Sequence, residues 1–388
     1  MHIAMIAYSD YESDSRVRRA AQTLADRGHS IDLLCIPSSV AREAPSSSRL
    51  HIWRLPMSQK RAATGRYVFE YGAFFIWSFG MVTTRHLRRP YQAVYVHNMP
   101  NFLVFAGALP KLAGARIILD VHDPAPELLT SIRGGRLPNW ACWLARAEER
   151  ISLSYADAIV TVNESMRRRL TALSPRSAPV TVVMNLPDAE RFAPNGTRRA
   201  ATNTPLLVYS GSIAERNGLD LVVRAMADLA GDVPDLRLRV IGDGPAAAHV
   251  TALAGKLGVS KRIDFLGRVT NEEIPALVRE ATAGVSPQRE DIFGSLVFSM
   301  KVAEYAALGL PVVCSGIATM RHYFSDDEVL FFQPGDARDL ARSIREMLAN
   351  PEAAGERARR ARRKLESLDW TSQQRSLALA VEDSQRRR

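Results

Sequence analysis

The sequence predicts an α/β protein with two tandem doubly wound domains, each built on a parallel sheet with helices on both faces. Three observations predict this class. The chain has 388 residues, which is too many for one ordinary hydrophobic core. Short apolar runs alternate with helical patterns along almost the whole chain. A polar stretch at residues 186–204 interrupts this alternation, which then starts again.

The first half begins with a strand, a helix and a second strand, and the alternation continues from there. The predicted strands are HIAMIAY, HSIDLLCI, AVYVH, RIILDVH, AIVTV and VTVVMN. Helices are predicted at residues 16–27, 102–112 and 140–154 and from Ser165. Strands that are joined through helices run parallel, so residues 1–185 are expected to form the first domain.

The second half, after the linker at residues 186–204, repeats the pattern. Its predicted strands are PLLVYS, LRLRVI, RIDFLG, AGVSP and the apolar run after Pro311, with helices from Gly218, Ala246, Asn271 and Ala337. Residues 205–365 are expected to form the second domain, and residues 366–388 a C-terminal helix that crosses back to the first. Doubly wound sheets bind ligands beyond the carboxyl ends of their strands, so the two domains are expected to face a cleft.

The composition, 46% apolar and 24% charged residues, is typical of a globular protein. Its three cysteines are too widely separated for a disulfide framework or a metal site, which favours a reducing compartment. The N-terminal apolar run is too short for a secretory signal, and the uncharged segment 71–84 has 14 residues where a spanning helix needs roughly 20. We therefore expect a cytoplasmic protein, with the inner face of the membrane as one place of action.

The net charge of +10 is concentrated in the first half, where residues 1–190 hold 23 Lys and Arg against 16 Asp and Glu. Basic residues flank the aromatic segment 71–84 on both sides: Lys60, Arg61, Arg66, Arg85, Arg88 and Arg89. This pattern predicts peripheral contact with an anionic membrane or a phosphorylated lipid, and a core helix with solvated flanks is the alternative. No nucleic-acid partner is expected, because no known nucleic-acid-binding motif accompanies the charge.

The segment YSGSIAERNG places Gly211 directly after a strand and Arg216 in a turn that Gly218 closes before the next helix. Such a loop can offer backbone N–H groups and a guanidinium to a diphosphate. An ordinary connection with a surface arginine explains the pattern equally well.

The segment VIGDGPAAAHV contains Gly242, Gly244 and Ala247 at the spacing of a dinucleotide fingerprint, with Asp264 placed for a ribose. An NAD-dependent oxidoreductase is therefore an alternative function. Asp243 argues against it because its carboxylate would repel a pyrophosphate, and a fingerprint normally opens its domain.

Polar residues follow the strand RIILDVH, where doubly wound proteins keep their chemistry: His122 and Asp123 come at once, and Glu127 lies nearby. No metal is predicted, because no second histidine has a partnering spacing. A histidine paired with a carboxylate for structure alone is the alternative. Arg16 lies in the first turn of a helix, where a cation opposes the helix dipole, so an anion is expected beside it.

The segment FSMKVAEYAALGLPVV predicts a helix, a stop at Gly309 and a buried strand. Lys301 and Glu304 lie one helical turn apart. Taken alone, they are equally well explained as a solvated ion pair.

The chain resembles family four of the retaining nucleotide-sugar glycosyltransferases over nearly its whole length. The resemblance is carried by DSRVRRAAQTLADRGHSIDLLCI, VHNMPNFLVFAGALPKLAGARIILDVHDPAPEL, YSGSIAERNG, VIGDGP, RIDFLGRV and KVAEYAALGLPVV. It implies a GT-B fold, in which two Rossmann-like domains bind the acceptor and the nucleotide-sugar donor respectively.

The resemblance also implies residue roles. Glu304 would bind the ribose hydroxyls, Lys301 and Arg216 would face the diphosphate, and His122 would lie near the donor sugar. The backbone around residues 262–265 would hold the base. The predicted substrate-binding residues are Arg16, Asp123, Gly211, Phe265 and Asp291.

The sequence departs from the family pattern at several positions. The first glutamate of the family's pair falls at Leu296, and Asp291 resembles that acid displaced by five residues. Asn217 and Ser212 stand where a lysine and an arginine are usual, so Arg216 would have to act for both.

The implied function is hexosyl transfer from a nucleotide-diphosphate sugar to a glycan or polyprenyl-linked acceptor, in polysaccharide or cell-envelope biosynthesis. Retention of configuration and independence of metal are implied as well, with no cofactor beyond the sugar nucleotide as co-substrate. A non-catalytic sugar- or lipid-binding module and a nucleotide-sugar epimerase remain as further alternatives to the oxidoreductase.

Overall fold

The computed structural model describes residues 1–38, 48–55, 64–132, 137–173, 178–193 and 204–382. The chain divides into two compact units, Met1–Asn185 with Trp370–Arg388 (unit 1) and Leu186–Asp369 (unit 2). Residues 194–203 of the predicted linker lie outside the described residues.

Unit 1 contains a sheet of seven strands flanked by helices. The strands are β1 His2–Ile6, β2 Ser30–Cys35, β3 Leu50–Arg54, β4 Ala93–His97, β5 Arg116–Val121, β6 Ala158–Thr161 and β7 Val180–Val182. The helices are α1 Ser15–Asp26, α2 Thr64–Arg88, α3 Ala108–Leu112, α4 Ala125–Ile132, α5 Asn139–Tyr155 and α6 Glu164–Leu173, with a 3₁₀ helix at Asn101–Gly107.

The seven strands run parallel in the order β3-β2-β1-β4-β5-β6-β7. Strand order reverses between β1 and β4, which is where doubly wound sheets open a ligand crevice. Both strands are buried along their whole length, as a sheet covered on both faces requires. Asp14 caps α1 by accepting from the N–H groups of Arg16 and Val17.

Unit 2 contains six strands, β8 Leu206–Ser210, β9 Arg237–Ile241, β10 Ile263–Gly267, β11 Ala283–Ser286, β12 Val312–Ser315 and β13 Leu330–Phe332. Its α-helices are α7 Leu219–Asp228, α8 Ala247–Lys256, α9 Ile274–Arg279, α10 Met300–Ala307, α11 Ala318–Tyr323, α12 Ala337–Ala349 and α13 Pro351–Ser367. The strands are parallel in the order β10-β9-β8-β11-β12-β13. Two doubly wound parallel sheets confirm the predicted fold class.

The last described helix, α14 Trp370–Glu382, belongs to unit 1. Leu377, Ala380 and Val381 join the buried cluster on one face of the first sheet. Glu382 accepts from Arg27 Nε at 2.9 Å and lies 2.8 Å from His29 Nε2. Among the helices of the described ranges, none has the length and hydrophobicity that a bilayer span requires.

Candidate functional site

Two glycine loops meet at the carboxyl edge of the unit 2 sheet. Gly211 follows β8 and Gly242 follows β9, with φ angles of +131° and +136°. Their N–H groups donate to Ile241 and Gly267 at 2.8 and 2.7 Å. A Cβ on Gly242 would lie 2.0 Å from the carbonyl oxygen of Gly211, so the two backbones are in direct contact. Glycine is therefore required at residue 242 by both conformation and space.

Replacing Gly242 with alanine is expected to lower the free energy of unfolding by about 3 kcal/mol or more, through positive-φ strain and a backbone clash. Gly258 is the matched control: its φ is +71° and a Cβ there would meet no atom within 4 Å. Gly258→Ala is expected to cost about 1 kcal/mol. Urea unfolding measures both, and equal costs would show that the loop contact is not rigid.

Lys301 reaches from α10 to the end of β8. A Cβ built on Gly211 would lie 3.5 Å from its Nζ atom, so the ammonium lies beside the glycine backbone, and Nζ is 5.2 Å from the ring centroid of Tyr209. Burial lowers the pKa of Lys301 to about 8; Glu304 opposes this shift and the charge of Arg216 adds to it. The ammonium is thus a poorly solvated cation at the strand edge.

Arg216 lies in the 3₁₀ helix Glu215–Asn217, which Gly218 ends with a φ of +67°. Its Cζ atom is 5.6 Å from the ring centroid of Phe293. Asn217 Nδ2 donates to the carbonyl of Ser212 at 2.7 Å, which closes the loop. Asn217, which stands where the family usually has a lysine, therefore stabilises the loop. Arg216 is the cation of this loop.

Glu304 is half-buried one turn beyond Lys301. Burial raises the pKa of Glu304 to about 7, and the positive charges of Lys301 and Arg191 work against that shift. Arg191 lies within the predicted linker and donates a hydrogen bond to the carbonyl of Asn271. Neither Lys301 nor Glu304 is a freely solvated surface group.

Sequence reasoning missed Arg191. It stands in a polar stretch without periodicity, so nothing in the sequence marks it as a neighbour of Glu304.

Helix α10 begins at Met300, inside the segment FSMKVAEYAALGLPVV that predicts it. A separate 3₁₀ helix at Gly294–Leu296 precedes it. The carboxylate of Asp291 accepts a hydrogen bond from the N–H of Gly294, the first residue of this 3₁₀ helix. Its sugar-binding role stays a prediction, as does that of Phe265, whose side chain is half-buried against the core.

Two contacts disfavour the dinucleotide alternative. Asp243 Oδ1 accepts from the N–H of Gly244 at 2.7 Å, so an acidic side chain occupies the amide that a pyrophosphate would use. Asp264 Oδ1 accepts from Arg237 Nη2 at 2.9 Å, so the carboxylate predicted for a ribose already has an arginine partner.

In unit 1, Arg16 forms a buried ion pair with Asp120. Its Nη2 and Nε atoms lie 2.6 and 2.9 Å from the two carboxylate oxygens, and Nη1 donates to the carbonyl of Val183 at 2.9 Å. Burial opposes ionisation of Asp120, but Arg16 and His97 outweigh it and hold the pKa of that carboxyl well below its usual range. The anion expected beside Arg16 is thus an internal carboxylate. The substrate-binding role of Arg16 stays a prediction.

His122 follows β5, and His97 ends the neighbouring strand β4. Their ring centroids are 6.4 Å apart, and ligand atoms of His97, Asp120 and His122 all lie within 4.8 Å of one another. His97 is therefore a second histidine beside His122, contrary to the expectation from sequence spacing, because strand β4 pairs with β5. The carboxylate of Asp120, however, is already bound by Arg16 and by Tyr95 Oη at 2.9 Å, so a metal cation would compete with a guanidinium.

The side chain of Asn98 fixes the loop that carries His122 and Asp123. Asn98 Oδ1 accepts from the N–H of His122 at 3.0 Å, and Nδ2 donates to the carbonyl of Asp123 at 2.6 Å. Burial lowers the pKa of His122, and Asp123 and Asp120 only partly oppose that shift, so a neutral imidazole is favoured at pH 7. Glu127 is instead paired with Arg169 at 2.7 Å.

Comparison with known proteins agrees with this architecture. The family of glycosyl transferase 4-like domains matches residues 13–185, and that of the glycosyl transferases group 1 matches residues 196–364. Sucrose-phosphate synthase from Thermosynechococcus elongatus superposes with a TM-score of 0.80 at 18% identity, covering 99% of this chain and 98% of its own. WaaG, a glycosyltransferase of lipopolysaccharide biosynthesis, gives a TM-score of 0.73 at 17% identity, covering 98% and 99%.

These likenesses define a protein of the GT-B fold. Glycogen synthase of Mycobacterium tuberculosis is 30% identical over 254 residues, which are 64% of this chain and 60% of that relative. A GDP-mannose-dependent phosphatidylinositol monomannoside mannosyltransferase of Mycolicibacterium smegmatis is 26% identical over 65% of this chain and 66% of its own. The chain belongs to the GT4-type glycosyltransferases.

Proposed function

We propose that the protein transfers a hexosyl group from a nucleoside-diphosphate sugar to a glycan or lipid-linked acceptor. The observation that carries this proposal is the ammonium of Lys301 beside the exposed backbone of Gly211, at the carboxyl edge of the unit 2 sheet. Glu304 lies one helical turn beyond Lys301, and the positive charge of Arg216 acts on the pKa of Lys301. A diphosphate and a ribose need this combination.

The chemistry requires stabilisation of a leaving group. As the bond between the anomeric carbon and the diphosphate oxygen breaks, negative charge grows on that oxygen, and Lys301 and Arg216 would stabilise it. The acceptor oxygen bonds to the anomeric carbon and its proton passes to the departing diphosphate. Glu304 would hold the ribose hydroxyls.

Retention of configuration, independence of metal and the absence of a further cofactor belong to the same proposal. Front-face attack through an oxocarbenium-like state accounts for retention. The cations would supply the charge stabilisation that a metal otherwise gives, which accounts for the independence of metal. The neutral imidazole of His122 would contact the donor sugar. The names of the glycogen synthase and mannosyltransferase relatives support a hexose as the transferred sugar.

A thermal-shift screen with UDP, GDP, ADP and NAD tests the donor site first. One nucleoside diphosphate is expected to stabilise the protein, by about 2.7 kcal/mol at 100 times its dissociation constant. Stabilisation by NAD alone would favour the oxidoreductase. If no compound stabilises the protein, a non-catalytic module is favoured. Product analysis with the matching sugar nucleotide, with and without EDTA, then tests transfer, anomeric configuration and metal independence, and it separates transfer from epimerisation.

The pH dependence of donor affinity follows from the two shifted pKa values. Affinity for the sugar nucleotide, measured by titration calorimetry, is expected to rise through about pH 7 as Glu304 ionises and to fall above about pH 8 as Lys301 loses its proton. Glu304→Gln should remove the acidic limb and keep the alkaline one. A flat profile for the unaltered protein would contradict both assignments.

We further propose a cytoplasmic protein whose acceptor lies at the inner face of an anionic membrane. Support comes from the excess of Lys and Arg in residues 1–190 and from α2, which contains the aromatic segment 71–84. Lys60 and Arg61 lie outside the described residues. Arg88 and Arg89, which follow the segment, are exposed.

A further inference from the structure

Helix α5 presents a continuous apolar stripe to solvent. Trp140 and Trp143 are each 70% exposed, Leu144 is 55% exposed and Ile151 is 57% exposed. Their spacing puts them on one side of the helix. Large side chains at this exposure contribute little to folding, so their position on one stripe indicates a binding surface.

The charges of α5 are sorted by sign. Arg146 and Arg150 are exposed, whereas the helix's two acids point inward. Glu148 accepts from Asn101 Nδ2 at 3.0 Å, and Glu149 is buried and paired with Arg169 at 2.7 Å. Within α5, every residue of which the structure describes, the exposed charge is therefore cationic.

Helix α2 repeats this arrangement. Phe69, Ile76 and Leu87 are each 71% exposed, and Arg88, next to Leu87, is exposed as well. Its acid, Glu70, is buried and accepts from Tyr8.

Both helices pack against the same 3₁₀ helix, Asn101–Gly107. Phe75 of α2 contacts Phe102 with ring centroids 5.8 Å apart, and Phe105 contacts Tyr155 of α5 at 4.8 Å. The two helices thus lie against one element of unit 1.

We propose that the tryptophan face of α5, formed by Trp140, Trp143, Leu144 and Ile151, docks on an anionic bilayer surface. Indole rings prefer the headgroup layer, aliphatic side chains enter the acyl boundary, and Arg146 and Arg150 attract lipid phosphates. Exposed carboxylates on this face would not prevent binding to a protein partner with an apolar patch. They would weaken binding to an anionic bilayer, which repels them.

The inference rests on the membrane contact included in the proposed function, and it assigns that contact to particular residues. Its test measures binding to vesicles with no sugar nucleotide present. Failure of the test therefore leaves the donor-site experiments untouched.

The experiment is co-sedimentation of the full chain with phosphatidylcholine vesicles that contain or lack about 30% phosphatidylglycerol. Binding is expected with the anionic vesicles and is expected to weaken with added salt. Trp140→Ala with Trp143→Ala should lower the partition coefficient at least tenfold. Arg146→Glu with Arg150→Glu should remove the preference for phosphatidylglycerol.

Matched controls use exposed side chains elsewhere. Leu379→Ala removes an apolar side chain that is 62% exposed, and Arg363→Glu with Lys364→Glu reverses two exposed charges on α13. Both controls should bind vesicles as the unaltered protein does. Brominated lipid should quench the tryptophan fluorescence of the unaltered protein, and Trp140→Phe with Trp143→Phe should lose most of that quenching.

Three outcomes would overturn the proposal. The unaltered protein does not bind anionic vesicles, or the Trp140/Trp143 alanine variant binds them equally well, or ultracentrifugation shows a dimer that this variant abolishes. Circular dichroism of each variant verifies folding, and the charge-reversal variant tests the same face if the alanine variant is unfolded.

Discussion

Replacing Lys301 with alanine is expected to lower kcat by about 100- to 1,000-fold, the usual effect of removing one group that stabilises charge in a transition state. Its ammonium lies beside Gly211 at the end of β8, and burial has already removed much of its water. A cation that has lost its water stabilises the transition state most when it lies where negative charge develops. Arg216→Ala is expected to lower turnover by more than about tenfold for the same reason.

Lys301→Arg and Lys256→Ala complete this experiment. Arginine keeps its charge above pH 8, so Lys301→Arg should retain part of the activity and lose the alkaline limb of the pH profile. Lys256 is exposed on α8 and serves as the matched control, with unchanged kinetics expected. Normal turnover by Lys301→Ala with the identified sugar nucleotide would remove Lys301 from the site.

Replacing Asp120 with asparagine is expected to lower the free energy of unfolding by about 3–5 kcal/mol, because Arg16 then keeps a buried charge without its carboxylate. Arg16 and Asp120 are 9% and 1% exposed. The exposed pair of Arg237 and Asp264 is the control, and Arg237→Ala should cost about 0–1 kcal/mol. Chemical unfolding measures both.

Acid should reduce the difference between the unaltered protein and Asp120→Asn. The pKa of Asp120 is lower in the folded than in the unfolded chain. Its stabilising effect is therefore complete above the unfolded value, about 3.9, and is lost as the pH falls toward the folded value. The double variant Arg16→Gln with Asp120→Asn should lose less than the sum of the single variants. An additive result would show that the two groups are not coupled.

Local patterns sufficed for most of the fold. Buried strands such as β1 and β5 are recognisable in the sequence as apolar runs, because parallel strands are covered on both faces. β3 was missed because this edge strand is only partly buried and its sequence, LHIWR, has no apolar run. β13 was missed because it has only three residues, Leu330–Phe332.

Some residues of the candidate site could be predicted from the sequence, and others could not. Lys301, Glu304 and Arg216 could be predicted as candidates because short segments carry them and resemble a known family. Asn98 and His97 were missed because β-sheet pairing, not sequence proximity, brings them to His122.

Arg16 shows a further limit of sequence reasoning. Its position in the first turn of α1 signalled an anion correctly. A sequence gives no means of telling a substrate from an aspartate 104 residues away.

Unit 1 is discontinuous along the chain, since α14 completes a core that residues 1–185 begin. During synthesis on a ribosome, the first sheet must wait for Leu377 and Val381 while all of unit 2 emerges. A stop codon after Asp369 would thus leave unit 2 whole but strip a covering helix from unit 1. Chaperones and proteases should therefore recognise such a truncated product through unit 1, although unit 1 is synthesised first, and not through unit 2.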